Sequence, residues 1–348
     1  MRVLAQKSPK IALDQKDWRI LKELISNIRQ PLSQIAKATL LSRQSVEYRI
    51  KQLQHNNLII GSRTIINIPK LDYRSYHIFL ELHSPDQEQL LIARALQAPY
   101  VNAIIQYSGK YNLEITIIAK DADEFLNYFQ TLTQHITIRN DTFLILLSTI
   151  RSEVLSSSYF PKQKEFSKKK MEEQSQLPKK TTTTPLQPLD LKLLYALSND
   201  ANITNITLAH QLNVSKDTIA QHIKQLESQK YIIQYRPVIN YAVLELSINS
   251  LLIKINSNPQ EQHKFEQFLK THSSILWATK TFGHYNYLIY AITKNLDEFH
   301  DLINTIKDSF QNLVKTYEIL FAFKETKYQF MAESMVKEEK KFGIQTKN

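Results

Sequence analysis

Apolar residues between positions 14 and 28 fall at Ile20, Leu21, Leu24, Ile25 and Ile28, a spacing that puts them on one face and predicts a first helix. Pro31 lacks an amide hydrogen and ends that pattern, and LSQIAKATL behind it predicts a short second helix. Ser42 sits where an N-cap belongs, its hydroxyl able to accept a free amide hydrogen of the next turn. Val46, Ile50 and Leu53 then repeat at i, i+4 and i+7, so a third helix is predicted over 43–56. The segment LIIGSRTIINI (58–68) is rich in β-branched residues around Gly61 and suits a two-stranded hairpin or wing. Three helices followed by a wing make a winged helix-turn-helix.

Past the wing the period changes. SYHIFLELH (75–83) reads as a strand, QEQLLIARAL as a helix, YVNAIIQYS and YNLEITIIA as strands joined at Gly109-Lys110, DEFLNYFQTL as a helix and DTFLILLST as a last strand. This βαββαβ order is the ferredoxin-like split.

The whole series then recurs. At an offset of 173, residues 17–60 lie over 190–233 without a gap, and Asp17/Asp190, Ser42/Ser215, Ile50/Ile223 and Leu53/Leu226 are among the identical pairs. LDLKLLYALSND, NITLAHQL, KDTIAQHIKQLES capped by Ser215, and YIIQYRPVINY repeat the four elements of the first head. Further on the offset is 174, and GKYN followed by DEF (109–125) matches GHYN followed by DEF (283–299). A chain with four glycines keeps one at this turn in each copy, where a positive φ is expected. The fold class is therefore α+β, with two copies of a winged helix-turn-helix followed by a βαββαβ domain. The domains run 13–70 and 71–150 in the first copy, and 188–244 and 245–330 in the second. A basic linker covers 151–187 and a charged tail 331–348. The linker's Lys clusters, Thr run and scattered Pro read as a solvated tether, with a basic arm touching DNA phosphates as the alternative.

Composition narrows the function classes. The net charge of +11 and a pI near 9.4 point to a polyanionic partner. With no cysteine, disulfides and thiolate zinc sites are excluded, and four glycines cannot supply a phosphate-binding loop or a dinucleotide turn. The longest apolar run, FLILLSTI, is too short to cross a bilayer, and the start of the chain has no signal-like apolar core. No membrane partner and a cytoplasmic location are expected.

The third helix of each head carries the candidate chemistry. Its outward set is Arg43, Gln44, Glu47, Tyr48 and Lys51 in the first copy, and Lys216, Asp217, Ala220, Gln221 and Lys224 in the second. Such side chains reach base edges and phosphates from the N-terminal half of a recognition helix in the major groove. The expected double-stranded DNA contacts are Ser42, Arg43, Gln44, Ser45, Tyr48, Arg49 and Lys51, with Ser215, Lys216, Thr218, Gln221, His222 and Lys224 opposite. Arg63 and Arg236 stand at equivalent wing positions and are expected to meet backbone phosphate. Counting Arg43, Arg49 and Lys51 against Glu47 leaves the first head the more cationic.

LDQKDWRILKEL, SRQSVEYRIKQL and GKYN-then-DEF, with PLDLKLLYAL, SKDTIAQHIKQL and GHYN-then-DEF, resemble the Lrp/AsnC, or feast/famine, family of transcriptional regulators. The resemblance covers about 13–150 and 188–330. It implies DNA binding through the heads and association through the βαββαβ domains, here as an intramolecular pseudo-dimer or a higher homo-oligomer. It also implies an amino-acid-like effector at the turns, Gly109, Tyr111 and Asn112 in one copy and Gly283, Tyr285 and Asn286 in the other. The family's turn usually carries Asp where this chain has the neutral Asn112 and Asn286, so weak or absent amino-acid binding through these turns is expected. No cofactor, metal or catalytic residue is expected. The rival readings are an architectural DNA-coating protein and a sirohaem-decarboxylase-like enzyme using histidines. His263, His272, His284 and His300 are not matched between the copies, as His284 against Lys110 illustrates.

Overall fold

The computed structural model describes residues 11–161 and 186–337. In the first head, α1 (Gln15–Ser26), α2 (Leu32–Thr39) and α3 (Arg43–His55) lie within a residue or two of the predicted helices. α1 starts at a capping box: Asp17 N donates to Asp14 Oδ1 at 2.8 Å and Asp14 N donates to Asp17 Oδ2 at 3.1 Å. Ile20, Leu21, Leu24, Val46 and Leu53 are buried, the predicted stripe facing inward. β1 (Ile59–Ile66) follows. The first βαββαβ unit is β2 (Arg74–Leu82), α4 (Pro85–Gln97), β3 (Val101–Gly109), β4 (Leu113–Ala119), α5 (Ala122–Thr133) and β5 (Ile138–Ser152). The second copy repeats it as α6 (Pro188–Asn199), α7 (Asn205–Leu212), α8 (Lys216–Ser228) and β6 (Ile232–Ile239), then β7 (Ser247–Ile255), α9 (Pro259–Thr271), β8 (Ile275–Gly283), β9 (Tyr287–Thr293), α10 (Leu296–Ser309) and β10 (Val314–Tyr328).

The two units close on each other. Their eight strands form one barrel in the order β10-β3-β4-β2-β5-β8-β9-β7, joined across the copies where β5 pairs β8 and β10 pairs β3. Closure leaves neither unit with an open sheet edge, the state that otherwise invites pairing with another chain. Outward faces pack on the helices: Leu91, Ala95 and Leu132 meet Ile78, Ile115 and Ile117 in one unit, and Phe265, Leu269 and Leu302 meet Leu251, Tyr287 and Ile289 in the other. The inward faces, including Phe79, Tyr111, Leu252, Tyr285 and Leu320, run into the same apolar core as both heads.

The expected wing is built differently. Among the described residues the positive-φ glycines are Gly109 and Gly283, so Gly61 makes no turn and β1 continues through it, with a shift of register between Ile59 and Gly61. A tight hairpin needs positive φ at its turn, and β1 instead pairs antiparallel with β6, its own duplicate, placing Arg63 opposite Arg236. Each head therefore contributes one strand to a shared ribbon.

Two boundaries also move. The linker, expected from 151, begins later, because β5 extends to Ser152, Val154 and Leu155 are buried, and Tyr159 OH donates to the Ile292 carbonyl at 3.0 Å. The tail expected from 331 begins with packed residues: Met331 is buried, as is Met335 within α11 (Ser334–Lys337), and Ser334 N donates to Pro99 O at 2.9 Å. The remaining linker and tail positions, 162–185 and 338–348, lie outside the described residues.

The turn glycines behave as expected and for a second reason besides. Gly109 and Gly283 adopt φ of 146° and 145°. Each also lies against the opposite copy, where a β-carbon would stand 2.8 Å from Ile319 O and 2.1 Å from Phe143 O respectively. The duplication reaches into other strained positions: Leu40 and Asn213, Asn57 and Lys230, and Asp72 and Glu245 all have positive φ at matching places. Among the described residues no helix is long and apolar enough to cross a membrane.

Candidate nucleic-acid interface

The two recognition helices start on matching serines. Ser42 Oγ accepts from Ser45 N at 3.1 Å and Ser215 Oγ accepts from Thr218 N at 3.0 Å, as the N-cap reading required. Arg43, Gln44 and Lys51 are exposed on α3, and Tyr48 is 64% exposed, high for a tyrosine. On α8 the exposed set is Lys216, Asp217, Ala220, Gln221 and Lys224. Lys51 Nζ pairs with Glu47 Oε1 at 3.0 Å, a solvent-exposed i,i+4 pair that a competing phosphate can displace at little cost.

Arg49 and His222 do not belong to that surface. Arg49 Nη1 donates to Asp17 Oδ1 at 2.7 Å and Asp14 Oδ2 at 2.8 Å, while His222 Nδ1 lies 2.7 Å from Asp190 Oδ1. Burial opposes charge on Asp14, yet the Asp17 amide and the Arg49 guanidinium hold its carboxyl below the ordinary value. Duplicated positions thus make one clamp, tying the third helix of each head to its first turn. With Arg49 directed inward, the first head loses part of its expected advantage in cationic surface.

Arg63 and Arg236 are a second correction. Because β1 and β6 pair with each other, these arginines face the barrel. Arg63 lies 3.5 Å from the buried Glu325 Oε1 and stacks over Tyr328 at 5.0 Å, and Arg236 Nη1 and Nη2 donate to Ser152 Oγ and O at 3.0 and 2.6 Å. Neither lies on an outer wing surface.

The turn residues assigned to an effector are committed to the scaffold. Tyr111 and Tyr285 are 2% and 1% exposed. Asn112 Oδ1 accepts from Leu82 N at 3.0 Å, Asn286 Oδ1 accepts from Ile255 N at 2.9 Å, and Asn112 Nδ2 donates to Glu88 Oε2 at 2.8 Å. Each asparagine joins its turn to the neighbouring strand.

Two features escaped the sequence reading. Arg29, at the turn after α1, donates from Nη1 to Ala201 O and Ile203 O at 2.6 and 2.8 Å and from Nη2 to Asn205 Oδ1 at 3.0 Å, bridging the heads. Its equivalent in the second copy is Asn202, and that mismatch was the available signal. Inside the barrel, the fully buried Glu114 accepts from Tyr107 OH at 2.6 Å and Tyr290 OH at 3.2 Å and lies 2.6 Å from His77 Nδ1. Burial, then Glu114, pushes the Tyr107 hydroxyl well above its ordinary pKa, so it stays a donor. A glutamate amid the apolar LEITIIA was the sign of this cluster, which ties the copies together. Among the described residues no group of His, Cys, Asp and Glu side chains could hold a metal ion.

Comparison with known proteins follows the same division. Residues 13–54 match the AsnC-type helix-turn-helix domain, 186–233 a winged helix-turn-helix DNA-binding domain, and 250–331 the Lrp/AsnC ligand binding domain. The leucine-responsive regulatory protein of Haemophilus influenzae is 22% identical over 147 residues, 41% of this chain and 89% of that protein. The HTH-type transcriptional regulator FL11 of Pyrococcus horikoshii is 22% identical over 140 residues, 40% of this chain and 93% of that one. One solved structure follows almost the whole chain: the siroheme decarboxylase NirDL superposes with a TM-score of 0.62 over 94% of this chain and 98% of that one, at 14% identity, a likeness of fold. The chain thus carries an AsnC-type helix-turn-helix domain, a second winged helix-turn-helix domain and an Lrp/AsnC ligand binding domain in a tandem duplication, and the single-unit regulators it resembles each match less than half of its length.

Proposed function

We propose that the chain is a transcriptional regulator that reads double-stranded DNA with two unlike heads, held as a pseudo-dimer within one polypeptide. The observation that carries this reading is the pair of serine-capped, exposed helices α3 and α8, mounted on a ribbon to which both heads contribute. A recognition helix places its N-terminal residues against base edges, so Gln44, Tyr48 and Gln221 confer preference, and Arg43, Lys51, Lys216 and Lys224 neutralise phosphate or bond guanine. The +11 net charge of the chain supplies the general attraction. The ribbon, Arg29 and the closed barrel fix one head relative to the other, which sets the spacing of the half-sites. A small-molecule effector belongs to this reading through the ligand-binding domain, and assembly beyond one chain is a further part of it.

The test is a mobility shift at fixed low salt on random duplex DNA. The Arg43→Ala, Lys51→Ala, Lys216→Ala, Lys224→Ala quadruple variant is expected to lose binding to every sequence. Parental affinity in that variant would remove the recognition-helix assignment.

A second reading, a tetrapyrrole-processing enzyme, is favoured by the nearly full-length fold similarity to a siroheme decarboxylase. Titration with an iron-uroporphyrin separates the two: a saturable change in its visible absorbance, with no shift of DNA, would select the enzyme.

A further inference from the structure

The duplication lets the two sides of the molecule be compared residue by residue, and at one pair of equivalent places they differ. On one side Arg29 crosses to the second head and donates to Ala201 O, Ile203 O and Asn205 Oδ1, its guanidinium carbon 5.3 Å from the centre of the Tyr235 ring. Tyr235 OH in turn donates to Glu227 Oε1 at 2.6 Å. On the other side the offset of 173 puts Asn202 at the place of Arg29 and Ser62 at the place of Tyr235. Both replacements are much shorter. Ile28, Gln30 and Leu32, which correspond to Ala201, Ile203 and Asn205, line a cavity of about 160 Å³ together with Asn202 and with Gln54, the counterpart of Glu227. The cavity thus takes the place that a guanidinium and a phenol hold on the opposite side.

Its chemistry still suits a guanidinium. The backbone carbonyls of Ile28 and Gln30 are the counterparts of the two that Arg29 bonds, and a backbone keeps its acceptors whatever side chain it bears. Leu32 cannot replace the Asn205 oxygen, but Gln30, standing for Ile203, adds an amide whose Nε2 donates to Glu23 O at 2.6 Å and whose Oε1 is an acceptor. The charge has changed in the same sense. Asn27 on one side is Asp200 on the other, and Asp200 Oδ1 accepts from Ser62 Oγ at 2.6 Å and from Asn202 N at 2.9 Å. Relative to its counterpart, this side has lost a cation and gained an anion beside the cavity. Among the described residues the lining itself carries no charged side chain, and Gln54 and Asn202 are exposed, so a solute can enter.

We propose that this cavity is an effector site for a small alkylguanidinium, its planar head at the carbonyls of Ile28 and Gln30 and its alkyl group against Leu24, Ile35 and Ile50. A guanidinium presents several N–H donors in one plane, which suits acceptors that converge from one turn of backbone. A cavity of about 150 Å³ accommodates benzene, and ethylguanidinium has no more heavy atoms than benzene. The site is distinct from the Gly109 and Gly283 turns. A ligand bound there ties the first head to the turn at Asn202, as Arg29 ties the second head to the first. Its use as an effector rests on the regulator reading: a second bridge favours one arrangement of the heads over the others.

Calorimetry on the full chain without DNA tests the site with ethylguanidinium, and with ethylurea as the neutral counterpart of nearly equal shape. Ethylguanidinium is expected to bind once per chain and ethylurea about tenfold or more weakly, the loss of charge-assisted bonds. Asn202→Arg supplies the guanidinium from the chain itself, so it should abolish binding and raise the melting temperature. Asp200→Asn keeps the turn in which Asn27 Oδ1 accepts from Arg29 N in the first copy, and should weaken ethylguanidinium binding a few-fold. Absence of ethylguanidinium binding at millimolar concentration, equal binding of ethylurea, or binding undiminished in both variants would overturn the proposal. Should Asn202→Arg fail to fold, Asp200→Asn and the comparison with ethylurea decide. In a chain that shifts DNA, ethylguanidinium should alter the affinity of the parent and leave that of Asn202→Arg unchanged; no alteration in the parent would overturn its role as an effector. Ethylguanidinium binding in a chain that does not shift DNA would sink the regulator reading and leave the site standing.

Discussion

Gly283 lies so close beneath the main chain of Phe143 that a β-carbon on it would stand 2.1 Å from the Phe143 carbonyl oxygen. The two residues belong to different copies of the duplicated unit, and the contact marks the seam along which β5 and β8 pair. Gly109 meets the opposite seam, with Ile319 O at 2.8 Å from the equivalent point. Both glycines have φ near +145°, so strain and contact act together.

Gly283→Ala is expected to destabilise the chain by about 3 kcal/mol or more, and Gly109→Ala by about 1–3 kcal/mol, the difference reflecting the closer approach at Phe143. Thermal melts of both variants check this. Equal, negligible shifts would mean that the seam is looser than described.

Leu40 is 80% exposed and holds φ of 58°, whereas its duplicate Asn213 holds φ of 54° with a side chain that tolerates this region. Leu40→Asn should therefore stabilise by about 0.5–1 kcal/mol and Asn213→Leu destabilise by a similar amount. A melting temperature lowered by Leu40→Asn would contradict the assignment.

Arg43 and Arg49, six positions apart on one helix, should separate cleanly. Arg43→Ala is expected to leave the melt unchanged and to reduce the salt dependence of DNA binding by about one unit of slope. Arg49→Ala, which breaks the bonds to Asp14 and Asp17, should cost about 1 kcal/mol of stability. Its effect on DNA binding should follow only from that loss. An unchanged melt for Arg49→Ala with a reduced salt slope would return Arg49 to the DNA surface.

His272 ends α9 half-buried, its Nδ1 accepting from Ser274 N at 3.2 Å and its carbonyl accepting from Arg151 at 2.7 Å. Burial first, and the Arg151 charge second, push its pKa below the ordinary 6.5. The unfolded chain then binds a proton that the folded one refuses, so stability falls as pH drops below about 6.5 and levels once the folded pKa is passed. His272→Gln should lose less stability between about pH 7 and pH 5 than the parent. Parallel pH profiles for the two would show that this histidine is not the group responsible.

The helices of the heads and the βαββαβ order were legible because they rest on local signals: a period, a proline, a capping serine. What was illegible depended on distant partners. The strand at 59–66 could be read as a strand, but its pairing partner lies at 232–239, and Gly61 suggested a turn that the backbone does not make. From this one misreading follow the wrong positions of Arg63 and Arg236. Arg49 looked like any cation on a polar face, since Asp17 joins it only through the fold; the identity of Asp17 with Asp190 was a trace of that clamp. Asn112 and Asn286 were recognised as a departure from an aspartate site, and their hydrogen bonds to Leu82 and Ile255 give the departure a structural use.

The central claim is that one chain reads DNA as a pseudo-dimer with unlike heads. Identical heads related by a two-fold axis require a palindrome, and Gln44 against Asp217 or Tyr48 against Gln221 frees this chain from that requirement. Repeated selection of bound sequences from random duplex DNA tests it directly. The account predicts enrichment of a site with two dissimilar halves at fixed spacing; convergence on a perfect palindrome, or no enrichment over the starting pool, would contradict it.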